Sequence, residues 1–175
     1  VMKALEYFIA VEYQNETRLM EGVSLQFIDP GHIIGSASVH LTIEEGGKTT
    51  RVSFSGDVGQ YGDLLLRSPQ EFPQADYILL ESTYGDRLHK DAQPTEQVFL
   101  NVILKTCVEK RGKLIIPAFS VGRTQELLYI LNNLDLEGKL PNIKVYVDSP
   151  LSAKATKIIE KHAEGYNDEV LDVLT

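Results

Sequence analysis

Three ionisable side chains in the first half of the chain each follow an apolar segment. His32 lies in FIDPGHIIG, Asp57 lies in FSGDVG, and Glu81 closes the run DYILLE. Because open sheets build their sites at the carboxyl ends of strands, we expect the three side chains to share one crevice. One imidazole together with carboxylates suits zinc or a similar divalent ion. The three residues therefore indicate a candidate metal site.

Each of these residues also has an ordinary structural interpretation. A single loop histidine is more often hydrogen-bonded than bound to a metal. An aspartate between glycines commonly closes a turn, and a glutamate at a strand end can cap a turn or a helix. A catalytic zinc usually takes three protein ligands, so His32 and Asp57 are too few by themselves. From the residues alone, both interpretations stay open.

Two kinds of strand pattern should position these groups. Alternating apolar and polar residues predict strands in VSLQFI at 23–28, SVHLTIEE at 38–45 and TTRVSFSGD at 49–57, with EGGK as a hairpin turn. Continuous apolar runs in DYILLES, KLIIPAFS and IKVYVDS predict buried, parallel strands. The first third is therefore strand-rich, and the pattern changes near residue 76.

Helical spacing of apolar residues appears after the pattern changes. The buried face of a helix near 95–110 is predicted to carry Val98, Phe99, Val102, Ile103 and Cys107. A second helix is expected near 121–134, and a third should begin at Pro150 and end at Gly165. Strands that alternate with helices predict the α/β class, with a domain boundary near residue 86.

Composition and charge limit the class of protein. The 175 residues are 43% hydrophobic with a net charge of −8, which suits a folded chain and argues against a broad basic surface for nucleic acid. The single cysteine excludes an internal disulfide and the chain opens without a leader pattern, so we expect a reducing, cytoplasmic location. No apolar run approaches the roughly 18 residues of a membrane span, so no membrane partner is expected.

A family resemblance rests on five segments in this order: DPGHIIGSASVHL, FSGDVG, ILLESTYGDRLH, LIIPAFSVGRTQELLYIL and VYVDSPLSAKA. The chain resembles the metallo-β-lactamase-fold nucleases with a β-CASP insert, the group that contains ribonuclease J and the mRNA 3′-end cleavage endonucleases. The resemblance implies that His32 is a zinc ligand and that Asp57 is a catalytic carboxylate bridging two zinc ions. It also implies that Glu81 is a catalytic acid that orients a downstream histidine.

The family's H-x-H-x-D-H motif, which supplies most of the metal ligands, is absent from these 175 residues. Its place would be upstream of Val1, and the later histidine motifs would lie beyond Thr175. The resemblance thus implies a central piece of a longer protein. Residues 1–86 would be the later part of the first segment of a metallo-β-lactamase αββα sandwich, and residues 87–175 the first part of a β-CASP α/β domain. We expect two zinc ions in the complete protein; this chain alone is expected to bind zinc weakly if at all and to be inactive.

The other three histidines do not replace the missing ligands. His40 alternates with Val39 and Leu41 on a predicted strand, so it is expected to face solvent or a position behind the site. His162 lies near a predicted helix end, where a role in the core or with the helix dipole is expected. His89, in GDRLH, is the one kept as a candidate for substrate binding.

Two strand-to-helix loops, FSVGRT and DSPLS, are candidates for holding a nucleic-acid backbone. Helix amino-terminal amides favour phosphate, and Ser120, Arg123 and Ser149 lie in these loops. Tyr84 and Arg87 are further candidates for substrate binding. The alternatives are that the serines cap helices, that Arg123 is solvated and that Tyr84 packs against its neighbours.

Hydrolysis of RNA phosphodiester bonds by two zinc ions is the function that the resemblance implies, with the metals activating water. The resemblance alone favours RNA over DNA; single-stranded RNA is the expected partner, a homodimer is allowed, and endonuclease and exonuclease modes are both open. The rival is a noncatalytic scaffold subunit of an RNA-processing complex, against which the retention of His32, Asp57 and Glu81 argues. A metallo-hydrolase of a small substrate is a third alternative, which the β-CASP segments disfavour.

Overall fold

The computed structural model describes residues 2–87, 95–168 and 170–171. The chain divides into two compact units, Val1–Thr83 with Gly165–Thr175 and Tyr84–Glu164. Strands and helices are both present, which confirms the α/β class. The domain boundary predicted near residue 86 stays a prediction, because compactness does not identify a domain family.

In the described part of the first unit, five strands form one sheet. After a short helix α1 (Met2–Leu5), the strands are β1 (Thr17–Met20), β2 (Val23–Ile28), β3 (Ser38–Glu45), β4 (Lys48–Phe54) and β5 (Tyr77–Leu79). They lie in chain order, antiparallel from β1 to β4, with β5 parallel to β4. The three alternating strands and the strand in DYILLES are confirmed. β1 was not predicted, because its four residues are too few to show an alternation.

A glycine turn joins β3 to β4. Gly46 and Gly47 have φ values of 57° and 76°, as a two-residue type I′ hairpin turn requires, and only glycine adopts both without strain. The turn pairs Glu45 with Lys48 and so sets the register of the whole hairpin. Local turn chemistry therefore positions the strand that leads to Asp57.

The buried face of this hairpin is polar. Ser38 Oγ donates a hydrogen bond to the Ser55 carbonyl at 2.6 Å, and His40 Nδ1 lies 2.7 Å from Ser53 Oγ. His40 is only 5% exposed, so the alternative that it faces solvent is wrong, and the alternative of a position behind the site stays open. Cross-strand hydrogen bonds satisfy the polar groups on this face, which allows the histidine side of β3 to be the buried one.

The parallel strand β5 is an edge strand. Tyr77, Ile78 and Leu79 are each more than half exposed, so the predicted burial of this strand is wrong. β5 pairs with β4 on one side, and in the sheet formed by the described residues it is the last strand. A continuous apolar run therefore identified the strand but not its surroundings.

Helices make up most of the regular structure in the second unit. α2 (Thr95–Ile103) continues as a π-helix, Leu104–Glu109, and is followed by α3 (Arg123–Leu136) and α4 (Pro150–Ile159). All three predicted helices are confirmed, although α4 ends earlier than predicted. The chain turns at Lys161, whose N–H donates to the Ile158 carbonyl at 3.0 Å. Gly165 instead closes a short 3₁₀ helix, Ala163–Gly165.

Among the described residues of the second unit, the buried apolar side chains come from all three helices. They are Leu100, Ile103, Ile130, Leu134 and Ile159. Val98 and Val102, which were predicted on the buried face of α2, are nearly half exposed. The helical period was therefore correct, but the face that packs is centred on Leu100 and Ile103.

Two predicted strands are absent from this unit. KLIIPAFS and IKVYVDS form no strand in the described residues, and Ile115 and Phe119 are both 85% exposed. The two segments line a cavity of about 770 Å³ together with residues of α2 and α3. A strand needs a neighbour to receive its backbone hydrogen bonds, whereas a helix satisfies its own. This difference explains why the predicted helices are present and the two predicted strands are absent.

Within the described parts of the chain, no helix has both the length and the apolar character needed to cross a bilayer.

Candidate functional site

The loop that follows β2 presents His32. Asp29 Oδ1 accepts a hydrogen bond from the Gly31 N–H at 2.8 Å, and the Gly59 N–H donates to the Pro30 carbonyl at 2.8 Å. Gly31 has a φ of 64°, and a Cβ there would lie 2.6 Å from the Arg67 carbonyl oxygen. Asp29 and Gly31 therefore hold the loop in a conformation that places the imidazole at its surface.

The turn after β4 presents Asp57 beside His32. Gly56, with a φ of 59°, adopts the left-handed conformation just after the strand, and the chain bends at Asp57. His32 Nε2 and Asp57 Oδ2 are 3.7 Å apart, and their side chains are 41% and 73% exposed. The predicted pair is thus brought together, with both polar ends open to solvent.

Glu81 lies past the end of β5 with both carboxylate oxygens engaged. Oε1 accepts from the Val58 N–H at 2.7 Å, and Oε2 accepts from Thr83 Oγ1 at 2.9 Å. The Val58 N–H, then the Thr83 hydroxyl and last the charge of His32 lower the pKa of Glu81, against an opposing effect of desolvation. Glu81 is therefore an oriented, ionised acid, and the predicted grouping of the three residues is found.

Ser55 connects the ends of β4 and β5. Its N–H donates to the Leu79 carbonyl at 2.9 Å, and its Oγ accepts from the Glu81 N–H at 2.9 Å. Because Asp57 and Glu81 leave these two strands, Ser55 fixes the separation of their starting points. Sequence analysis missed Ser55 and Thr83; the hydroxyl residues in FSGD and ESTYG were the available signal.

The open donor atoms at this site are one imidazole nitrogen and one carboxylate. That pair fits part of a zinc coordination sphere, because zinc accepts both histidine and aspartate. Among the described residues, no group of three or more His, Cys, Asp or Glu side chains is placed to hold a metal ion. His40 does not extend the pair, since its Nδ1 faces Ser53. The described residues thus supply a partial ligand set.

The predicted substrate-binding serines lie together in the second unit. Ser149 caps α4, accepting the Ser152 N–H at 3.1 Å, and Ser120 Oγ lies 3.4 Å from Ser149 Oγ. α3 begins after Gly122, with no side-chain cap, and Arg123 pairs with Glu126. The capping alternative therefore holds for Ser149, while the amino terminus of α3 lacks a side-chain cap.

Two other candidates form a second contact in this unit. The Arg87 guanidinium lies 5.6 Å from the centre of the Tyr84 ring, within the range of a cation–π interaction. Arg87 also pairs with Asp86 at 2.8 Å.

His89 lies outside the described residues. His162 is exposed and pairs with Glu164 at 2.8 Å, so the predicted role in the core is wrong, and the alternative role with the helix dipole stays a prediction.

Comparisons of this sequence with known proteins identify one matching domain family and several relatives of similar sequence. Residues 124–173 match the Beta-Casp domain. The chain is 31% identical to the RNase J-like protein of Methanocaldococcus jannaschii, over 99% of this chain and 41% of that protein. It is 36% identical to Ribonuclease TTHA0252 of Thermus thermophilus, over 97% of this chain and 38% of that protein. The Transcription termination factor FttA of Methanosarcina mazei is 32% identical, over 97% of this chain and 26% of that protein. The chain therefore spans less than half the length of each of these relatives.

Proposed function

Since this chain belongs to the β-CASP family of metallo-β-lactamase-fold nucleases, we propose that its protein hydrolyses phosphodiester bonds in RNA with the help of zinc. The observation that carries the proposal is the open pair of His32 Nε2 and Asp57 Oδ2, 3.7 Å apart, on the sheet edge that also holds Glu81. Two relatives named as ribonuclease or RNase J-like support RNA as the substrate.

His32 and Asp57 are the residues of this chain that would hold zinc. Bound zinc lowers the pKa of a water molecule and stabilises negative charge on a phosphate. A catalytic zinc takes three protein ligands as a rule, and the described residues offer two open ones. We therefore propose that the chain by itself binds zinc weakly and is inactive.

Glu81 is proposed to orient a proton donor rather than to bind metal. Its oxygens already accept from the Val58 N–H and the Thr83 hydroxyl, which leaves lone pairs but fixes the plane of the carboxylate. A fixed, ionised carboxylate can hold the ring of a histidine in one orientation, as acids beside catalytic histidines do. Such a histidine would protonate the leaving oxygen of the RNA.

The RNA-contacting residues are proposed to lie in the second unit. Tyr84 is exposed beside Arg87, an arrangement on which an unstacked base can lie, so single-stranded RNA is the favoured form. Arg123 at the amino terminus of α3 would contact a phosphate by exchanging its present partner, Glu126. A cytoplasmic location belongs to the same proposal.

Zinc titration of matched variants tests the metal role. We would measure zinc binding by isothermal titration calorimetry in the unaltered chain, in Asp57→Asn and in Asp86→Asn. The two aspartates are equally exposed, at 73% of their side chains, so Asp86→Asn controls for the loss of a surface charge. Weak binding that is lost only in Asp57→Asn is the expected result. Equal binding by all three proteins would contradict the assignment of Asp57.

A noncatalytic scaffold is the second candidate function, favoured by the partial ligand set. If the protein is a scaffold, we expect no specific zinc binding. We also expect it to bind RNA, with an affinity that Asp57→Asn leaves unchanged. Zinc-dependent cleavage of single-stranded RNA by the present chain, abolished by Asp57→Ala, would instead establish a nuclease and show that our proposal of inactivity is wrong.

A further inference from the structure

The chain re-enters the first unit at Gly165, after passing through the second. We call its described residues from 165 to 171 the return segment. Tyr166 forms an antiparallel bridge with Leu66, and the Asn167 N–H donates to the Leu65 carbonyl at 2.8 Å. Asn167 Nδ2 also donates to the Asp63 carbonyl at 3.0 Å. The return segment is thus bound to the loop of residues 63–70, which we call the support loop.

The support loop in turn holds residues 29–36, which we call the ligand loop because it carries His32. The Gln70 N–H donates to the Asp29 carbonyl at 3.0 Å. Gly31 lies so close to the support loop that a Cβ there would be 2.6 Å from the Arg67 carbonyl oxygen. In addition, Arg67 Nε donates to the Tyr166 carbonyl at 3.0 Å. Arg67 therefore contacts the ligand loop on one side and the return segment on the other.

The return segment also contacts the ligand loop directly. A Cβ at Gly165 would lie 2.9 Å from Ile34 Cγ1 and 3.3 Å from Ile34 Cδ1. Gly165 is not among the residues of positive φ, so its backbone conformation is open to alanine. The absence of a side chain is what permits the contact, and Ile34 is two residues from His32.

We propose that the return segment is a positioning element for His32, with Gly165 and Asn167 as its positioning residues. Other contacts to the ligand loop come from earlier parts of the chain, such as the Tyr13 hydroxyl, which donates to the Ser36 carbonyl at 2.6 Å. The return segment is different because it follows the whole second unit. The orientation of the His32 imidazole therefore depends on residues that follow the second unit in the sequence. This inference rests on the proposed function, in which His32 is a zinc ligand.

Nuclear magnetic resonance of the zinc-free chain at one pH tests the proposal without relying on activity. In Gly165→Ala we expect shifted ring signals of His32 and shifted amide signals of Gly31 and Gly59, with the His40 ring unchanged. Adding Ile34→Ala should restore the His32 signals, because it makes room for the new methyl group. Gly112→Ala is the matched control, since Gly112 is also absent from the positive-φ residues and lies in the second unit. In the zinc titration, Gly165→Ala should weaken binding about tenfold.

Two results would overturn the proposal. One is a folded Gly165→Ala chain with unchanged His32 signals; the other is a shift that Ile34→Ala fails to reverse. If Gly165→Ala does not fold, Asn167→Ala replaces it, and faster hydrogen exchange at the Gly59 N–H is then expected; unchanged exchange would refute the positioning role. An unaltered chain that binds no zinc would contradict the proposed function, while the His32 signals would still decide the role of the return segment.

Discussion

The two units differ in which of their strands the chain can pair. In the first unit, β2, β3 and β4 are consecutive and antiparallel, and each receives its backbone hydrogen bonds from a neighbour close in sequence. In the second unit, KLIIPAFS and IKVYVDS lie on either side of α3, and neither forms a strand in the described residues. A hairpin needs only a short turn, whereas parallel strands need a long crossover and a suitable neighbour. The difference shows that pairing with a neighbour close in sequence is sufficient for β2, β3 and β4, whereas the two apolar segments beside α3 pair with no strand among the described residues.

The contacts that build the candidate sites divide the other way. In the first unit, His32, Asp57 and Glu81 follow paired strands. The Gly59 and Val58 N–H groups donate hydrogen bonds to the Pro30 carbonyl and to Glu81, and Ser55 Oγ accepts one from the Glu81 N–H. In the second unit, Ser149 serves its own helix as a cap. The first site is therefore built from contacts distant in sequence, and the second is built mainly from local ones.

The largest effect should come from a glycine in the first unit, and it tests whether distant contacts dominate there. A Cβ at residue 59 would lie 1.8 Å from the Gly31 carbonyl oxygen, whereas one at residue 138 meets nothing within 4 Å. We expect Gly59→Ala to lower the free energy of unfolding by about 4 kcal/mol. Gly138→Ala should cost about 1 kcal/mol, because only its positive φ opposes alanine. Urea unfolding monitored by circular dichroism measures both, and equal losses would contradict the comparison.

A smaller effect should separate local capping from phosphate binding in the second unit. Ser149 Oγ accepts the Ser152 N–H at 3.1 Å, so Ser149→Ala should lower the free energy of unfolding by about 1 kcal/mol. Ser120→Ala should cost less than about 0.5 kcal/mol, because Ser120 caps no helix. Thermal unfolding of the two variants measures the difference.

The same pair of variants should then be compared for binding to a short single-stranded RNA by fluorescence anisotropy. A loss of RNA affinity in Ser120→Ala without a loss of stability would assign Ser120 to the substrate. Unchanged affinity in both variants would restrict these serines to the structural role that Ser149 already has.

Sequence patterns predicted the elements whose signals are local. Alternation located β2, β3 and β4, and the EGGK turn explained their pairing, because a two-residue turn sets the register without help from elsewhere. Helical spacing located α2 and α3, although it selected Val98 and Val102 in place of Leu100 for the buried face. Which side of a helix packs depends on the rest of the unit, and the sequence of the helix does not contain that information.

The candidate site could be predicted as a grouping but not as a hydrogen-bond network. Strand ends placed His32, Asp57 and Glu81 together, since side chains after neighbouring strands share one edge of the sheet. The engagement of Glu81 with Val58 depends on a backbone N–H, which no pattern of side chains reports. The contact between Gly165 and Ile34 was beyond prediction for a similar reason, because it joins residues on either side of the second unit.

The smallest effect concerns pH and tests the buried hairpin of the first unit through His40. Burial, and to a lesser extent the charge of Arg51, lower the pKa of His40 below its usual value of 6.5. The unfolded chain therefore binds a proton more readily than the folded one, so stability rises with pH in this range. The contribution of the neutral ring is complete above pH 6.5 and is lost as the pH falls through the folded-state pKa. His40→Gln removes the titration but keeps a polar side chain near Ser53, so its stability should vary less between about pH 7.5 and pH 5. Urea unfolding at a series of pH values measures how the free energy of unfolding changes with pH in the unaltered chain and in His40→Gln. The same change in both proteins would show that His40 does not make the first unit sensitive to acid.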